Sequence, residues 1–396
     1  MANDRPEPTG STQRKLARTT RLSHVGTAGE ELSGFVNPPV VHGSTVLFPD
    51  MDTARHGRQR YRYGRRGNPT NDALEALCSD LEGAEGTALF PSGASACAMA
   101  LSAVTKAGDR VVVVDNVYNP TRAFSDNVLK RFGVEIVYVD PLDHDAIAES
   151  LRTPTAALFL EAPGSLTFEM PDVPAIAAMG KAAGAKVLID NTWATPLFFR
   201  PLEHGCDLVI HAATKYFGGH SDLLLGTVSG NGEALKAVRD ARGYWGIHVG
   251  PDDVYDTLRG MRTMDVRLQR HQHNARIVAE WLDANPKVKR VLYPALPSHP
   301  GHAIWARDYD GASGLFGFTV DGDQARADRL VDALSLFGIG YSWGGYESLA
   351  TVPTVNACRS ATMWPQDEWV VRLSIGLEDP ADLIADLETG LAAMDA

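Results

Sequence analysis

From Asn68 to Ser229 the chain alternates short, uniformly apolar runs with longer amphipathic stretches. The apolar runs predict strands at 87–90, 110–115, 134–139, 156–161, 187–190, 208–212 and 223–229. The stretches between them predict helices at 71–81, 96–105, 121–132, 144–151 and 173–183. Strands without an outward polar face, separated by helices, imply a mostly parallel sheet covered on both sides, an α/β architecture. A long helical stretch over about 254–282 follows. Beyond it, strands at 315–320, 338–341 and 370–375 mix with helices at 325–334 and 380–394, which suggests a smaller α+β region. The first dozen residues read as a loose tail, and the chain up to about Gly57 as irregular, with turns at Asn37-Pro-Pro and His42-Gly-Ser. The expected division is therefore an arm over 1–60 that contacts a neighbouring subunit, an α/β domain over 61–255 and an α+β domain over 256–396.

Chemistry collects where these strands end. Lys215 follows the apolar run ending Ile210-His-Ala-Ala-Thr and enters the turn Tyr216-Phe-Gly-Gly. That is the carboxyl edge of the sheet, where open α/β folds keep their ligands. Desolvation there lowers a lysine's pKa and makes the amine a nucleophile for carbonyls. Asp190 ends the preceding apolar run at the same edge. Taken singly, Lys215 reads as a surface lysine and Asp190 as a strand-end cap. Together they are what pyridoxal 5'-phosphate asks of a protein: a Schiff-base lysine and a carboxylate that keeps the pyridine nitrogen protonated. A phosphate site accompanies them. Ser92-Gly93-Ala94-Ser95 turns a strand into a small-residue helix that Ser92 or Ser95 can cap, so first-turn N–H groups point at an anion. Tyr61-Arg62-Tyr63-Gly64-Arg65-Arg66 supplies forked and hydroxyl donors just before a helix capped by Asn68 or Thr70. Tyr118, after the strand at 110–115, brings an aromatic ring to the same edge.

Composition narrows the setting. A chain of 396 residues exceeds one simple core, and its net charge of −12 argues against nucleic acid or an anionic membrane as partner. No apolar run approaches the roughly 18 residues that span a bilayer. The cysteines Cys78, Cys97, Cys206 and Cys358 lack C-x-x-C spacing and suit a reducing cytoplasm, and the histidines form no metal-ligand set, so no metal site is expected. There is neither a G-x-x-x-x-G-K-[ST] loop nor a strand running into G-x-G-x-x-G, which removes nucleotide triphosphates and nicotinamide dinucleotides.

With these residues assembled, the chain resembles the Cys/Met-metabolism group of pyridoxal-phosphate enzymes, a branch of the aspartate-aminotransferase-like fold, from about Phe35 to its end. The resemblance implies that Lys215 is the Schiff-base lysine, Asp190 the pyridinium partner and Tyr118 the stacking ring. Gly93, Ala94, Thr192 and Thr214 would complete the cofactor site. Tyr63 and Arg65, in Tyr-Gly-Arg-Arg-Gly-Asn-Pro-Thr, would reach it from a neighbouring subunit. That makes the family an obligate dimer with shared sites, usually paired into a homotetramer. Arg372, in Arg-Leu-Ser-Ile-Gly-Leu-Glu, would clamp the α-carboxylate of an amino-acid thioether. Tyr341-Ser342-Trp343-Gly-Gly carries Trp343 where relatives acting at Cγ have Leu. This points to β-elimination of L-cystathionine to L-homocysteine, pyruvate and ammonia, with Lys215, Asp190 and Tyr118 carrying the chemistry and Tyr63, Tyr341, Ser342 and Trp343 holding the substrate. Departures are Ala94 where many relatives carry Met and Ala212 where many carry Ser. The alternatives are cleavage of a wider range of cysteine S-conjugates, a γ-acting relative, and a catalytically silent scaffold, which would have no use for Arg372.

Overall fold

A computed structural model describes residues 16–27, 34–57 and 59–395. The expected loose tail lies outside them. A seven-stranded sheet is built from β1 (Gly86–Phe90), β2 (Arg110–Val114), β3 (Glu135–Val139), β4 (Ala157–Glu161), β5 (Lys186–Asp190), β6 (Leu208–Ala212) and β7 (Gly226–Gly230). Its order is β1-β7-β6-β5-β4-β2-β3. The run β6-β5-β4-β2-β3 is parallel, and β7 lies antiparallel between β6 and β1. The expected α/β class is borne out. Strands such as Arg-Val-Val-Val-Val in β2 are buried on both faces because helices flank the sheet, as the missing polar alternation required.

A second sheet, ordered β10-β11-β12-β9-β8, comprises β8 (Arg290–Leu292), β9 (Leu315–Asp321), β10 (Gly338–Ile339), β11 (Leu349–Thr351) and β12 (Glu368–Ser374). The helices Gln324–Asp332 and Pro380–Ala393 accompany it. Between the sheets stand two helices, Pro251–Arg262 and Met264–Asp283, where the sequence predicts one. The hydrophobic pattern runs through Thr263, but its backbone (φ −106°, ψ 7°) leaves the helical region. The division expected at residue 255 falls inside Pro251–Arg262, whose Val254, Leu258 and Met261 pack with Leu74, Leu77 and Leu81 of the helix Pro69–Glu82.

Other differences are local. The arm contains the short helices Arg18–His24 and Met51–His56 where irregular chain was expected. The helix expected at 121–132 starts at Asn119 and widens into a π turn over Ser125–Leu129. The strand expected from 223 begins at Gly226, because Leu225 bonds Thr214 through its N–H and carbonyl. The strand expected over 338–341 stops at Ile339, and the Tyr341 carbonyl faces Arg372. The helix Gly232–Tyr244 and the short strands β8 and β11 were not anticipated.

The loop before β12 is fastened to the end of β2. Asp115, immediately after β2, accepts the N–H groups of Ser360, Ala361 and Thr362 and pairs with Arg122. Burial alone would raise its carboxyl, but hydrogen bonds from Thr362 and Ser360, with Arg122, hold it below the usual carboxylate range. Among the described residues no helix is long and apolar enough to cross a membrane.

Candidate active site

The helix Gly93–Ala103 begins where β1 ends. Ser92 caps it, its hydroxyl accepting the Ser95 N–H at 3.1 Å. Gly93 and Ala94 stand in the first turn, whose N–H groups have no intrahelical partner, and both line a cavity of about 820 Å³ of empty space including its mouth. That lies within the roughly 300–1,000 Å³ of small-molecule sites. A Cβ on Gly93 would come within 2.4 Å of the Ala212 Cβ, so only glycine lets helix and β6 meet there. Tyr118, Asp190, Thr192, Thr214, Lys215 and Trp343 line the same cavity.

Each polar residue is held in a definite way. Asp190 is buried at the end of β5. Its Oδ1 accepts the Thr192 N–H at 2.9 Å and the Thr192 hydroxyl, and its Oδ2 takes the Cys97 thiol at 3.7 Å. Thr192 in turn accepts the Ala212 N–H at 2.9 Å, which ties β5 to β6. The Thr214 hydroxyl lines the cavity but donates to the Leu225 carbonyl at 3.3 Å. Lys215 Nζ donates to Ser342 Oγ at 2.9 Å and lies 5.3 Å from the Trp343 ring centroid. Burial, and then the nearby Arg372, lower this ammonium from 10.5 to about 8 against the pull of Asp190. Burial also raises the Tyr118 phenol, with Asp190 adding to it, so this hydroxyl stays protonated at neutral pH.

Arg372, on β12, is buried, and burial lowers its guanidinium to about 10. Its Nη2 bonds the Tyr341 carbonyl at 3.0 Å and reaches the Ser342 carbonyl, so Nε and Nη1 remain for a carboxylate among the described residues. Trp343 rests on Tyr216, ring centroids 5.5 Å apart. Gly344 follows with φ +83°, and a Cβ there would meet the Lys215 carbonyl carbon and the Tyr216 nitrogen at 3.1 Å. The loop therefore lies directly on the lysine's backbone.

Five expected residues fall outside the cavity lining: Ser342 and Arg372, joined to it through Lys215 and the Tyr341 carbonyl, and Tyr63, Arg65 and Tyr341, which stand apart. Tyr63 is exposed and Arg65 donates to the Gly243 carbonyl at 2.9 Å; neither lines the cavity of its own chain. Tyr341 is also exposed, outside the cavity wall. Sequence reasoning missed Glu161, Ser165, Phe168 and Trp193, which do line it. Glu161 carried a usable signal, since it ends the strand expected at 156–161 as Asp190 ends its own. Trp193 carried none, because its indole N–H is satisfied across the sheets by the Leu315 carbonyl.

The residues fit pyridoxal phosphate: a helix start for the phosphate, a desolvated lysine, and a buried carboxylate with an aromatic ring at one cavity. Comparison with known proteins agrees. The family model described as "Cys/Met metabolism PLP-dependent enzyme" matches residues 19–392. A Rhizobium johnstonii protein, assigned provisionally as a cystathionine beta-lyase, is 51% identical over 95% of this chain and 96% of its own. The cystathionine beta-lyase MetC of Escherichia coli is 40% identical over 94% of this chain and 98% of its own. A crystal structure of cystathionine gamma synthase from Xanthomonas oryzae pv. oryzae superposes with a TM-score of 0.90 at 32% identity, covering 96% of this chain and 99% of that one. The cavity and these likenesses lead to one conclusion: the chain is an enzyme of the Cys/Met-metabolism family that uses pyridoxal 5'-phosphate.

Proposed function

We propose that this enzyme is a carbon–sulfur lyase that splits the Cβ–S bond of L-cystathionine, giving L-homocysteine, pyruvate and ammonia with uptake of one water. One observation carries the β assignment: Trp343 covers Lys215, with Nζ 5.3 Å from its ring and 2.9 Å from Ser342 Oγ. A bulky ring over the base restricts the side of the substrate beyond Cβ, whereas Leu, as in the γ-acting relatives, leaves more room.

In this reading Gly93, Ala94, Thr192 and Thr214 would hold the cofactor, Asp190 would keep its ring nitrogen protonated and Tyr118 would offer an aromatic surface to its ring. Pyridoxal phosphate, when bound, supplies the sink for the electron pair left when Cα loses its proton. Arg372 binds the substrate carboxylate with Nε and Nη1 and so fixes the direction of the Cα–H bond. Lys215 Nζ, poised near neutrality, removes that proton. Lys215 or the protonated Tyr118 phenol then delivers a proton to the departing sulfur. Ser342, bonded to Lys215 Nζ, bounds the substrate side, and Tyr341, outside the cavity wall, contributes its carbonyl to Arg372.

Tyr63 and Arg65 belong, on this proposal, to the site of a second copy, in a dimer with shared sites that pairs into a cytoplasmic tetramer. Their distance from their own cavity supports this. Mixing Lys215→Ala subunits with Arg65→Ala subunits tests it: activity is regained only if one site in each mixed dimer is whole.

The deciding experiment is identification of the keto acid formed from L-cystathionine. Pyruvate agrees with the proposal. 2-Oxobutyrate assigns the enzyme to the γ-acting branch that the Xanthomonas structure represents, and no keto acid removes cystathionine as the substrate.

A further inference from the structure

Glu161 is a carboxyl that the scheme above does not use. It ends β4, directly across the parallel ladder from Asp190 at the end of β5, and lines the same cavity. Its Oε2 accepts the Tyr118 N–H at 2.6 Å. Tyr118 precedes the helix Asn119–Phe124 with a non-helical backbone (φ −49°, ψ 129°), and its own side chain caps nothing. That N–H is held by Glu161.

We propose that Glu161 is a positioning residue that works in its uncharged form, pinning the Tyr118 main chain so that the ring is held toward the cofactor cavity while Asp190 alone supplies negative charge there. The inference rests on the cofactor placement proposed above. Three arguments carry it. No cation pairs with Glu161 among the described residues, whereas two carboxylates at neighbouring ladder positions repel when both are charged. The groups facing it are Asp190 from β5, the Tyr118 N–H, Ser165 from the loop after β4, and Cys97 from the helix Gly93–Ala103. None supplies a positive charge. Burial and Asp190 accordingly push Glu161 well above the usual carboxylate range, against the hydrogen bonds from Tyr118 and Ser165.

The test compares wild-type holoenzyme with Glu161→Gln and Glu161→Ala. Glutamine keeps the carbonyl acceptor and lacks a charge, so Glu161→Gln should stay within about threefold of wild type in kcat/KM, with the visible circular dichroism of the bound cofactor unchanged. Glu161→Ala should lose more than tenfold in kcat/KM, and its dichroism should weaken as the ring loosens. At pH 7 the wild-type infrared spectrum should contain a carboxylic-acid C=O band that disappears in Glu161→Gln. This readout stands even if Glu161→Ala fails to fold. A tenfold loss in Glu161→Gln, an Ala variant indistinguishable from wild type, or the absence of that band would each overturn the assignment. Lys215→Ala, measured alongside, separates the two levels. If it keeps the visible cofactor band, the cofactor placement is wrong and this inference goes with it; if it loses the band while Glu161→Gln is impaired, only the Glu161 assignment fails.

Discussion

Lys215 should cost the folded enzyme stability, and the cost should depend on pH. Its folded pKa of about 8 lies below the ordinary 10.5. Above 10.5 both folded and unfolded chains hold a neutral amine, and there is no penalty. As pH falls toward 8 the unfolded chain takes up a proton that the folded one refuses, so stability declines; below 8 the full penalty persists. At about 1.4 kcal/mol per pKa unit the penalty at neutral pH is roughly 3 kcal/mol. Replacing Lys215 by Met in protein stripped of cofactor removes it and keeps an apolar stem against Trp343. The change also loses the Ser342 hydrogen bond and the cation–π contact, together about 1–2 kcal/mol. The expected net gain at pH 7 is therefore about 1–2 kcal/mol, and the advantage of the variant should fall by about 2 kcal/mol on moving to pH 9.5. Urea denaturation of both proteins at the two pH values measures it. An advantage that does not change with pH, or a variant less stable at pH 7, would refute the reasoning.

Arg372→Gln should reduce kcat/KM roughly 10–100-fold, mostly through KM, because one charged hydrogen-bonding group to the carboxylate is lost; steady-state kinetics with L-cystathionine reads it. Trp343→Leu should raise the share of 2-oxobutyrate among the keto acids if the ring enforces β chemistry, and an unchanged ratio speaks against that role. Asp115→Ala should destabilise the enzyme by about 3 kcal/mol, since it strands the buried Arg122 guanidinium and releases three N–H groups, and thermal or urea melts will show it.

Most of the parallel sheet was legible because its strands are apolar on both faces and its helices are not. What escaped was decided at a distance. Nothing in the run from Val254 to Leu282 marks the break at Thr263, since apolar positions continue at helical spacing on both sides. The strand β11 is three residues long and is defined by its pairing with β12 on one side and β10 on the other. In the site, Lys215 and Asp190 could be read because strand ends are visible as the end of an apolar run. Tyr63 and Arg65 were legible as an anion-binding segment, but only the resemblance assigned them to a neighbouring subunit, as they line no cavity of their own chain. Glu161 stood in plain view, but its bond to Tyr118 joins positions 43 residues apart.

Gly344 sets a boundary on how this site can change. With its left-handed backbone pressed against Lys215 and Tyr216, it fixes the path of the loop to the lysine on which the proposed chemistry depends. Insertions or bulkier residues at 344 would displace the lysine itself. Exchange of side chains at 342 or 343, by contrast, leaves that backbone path unchanged.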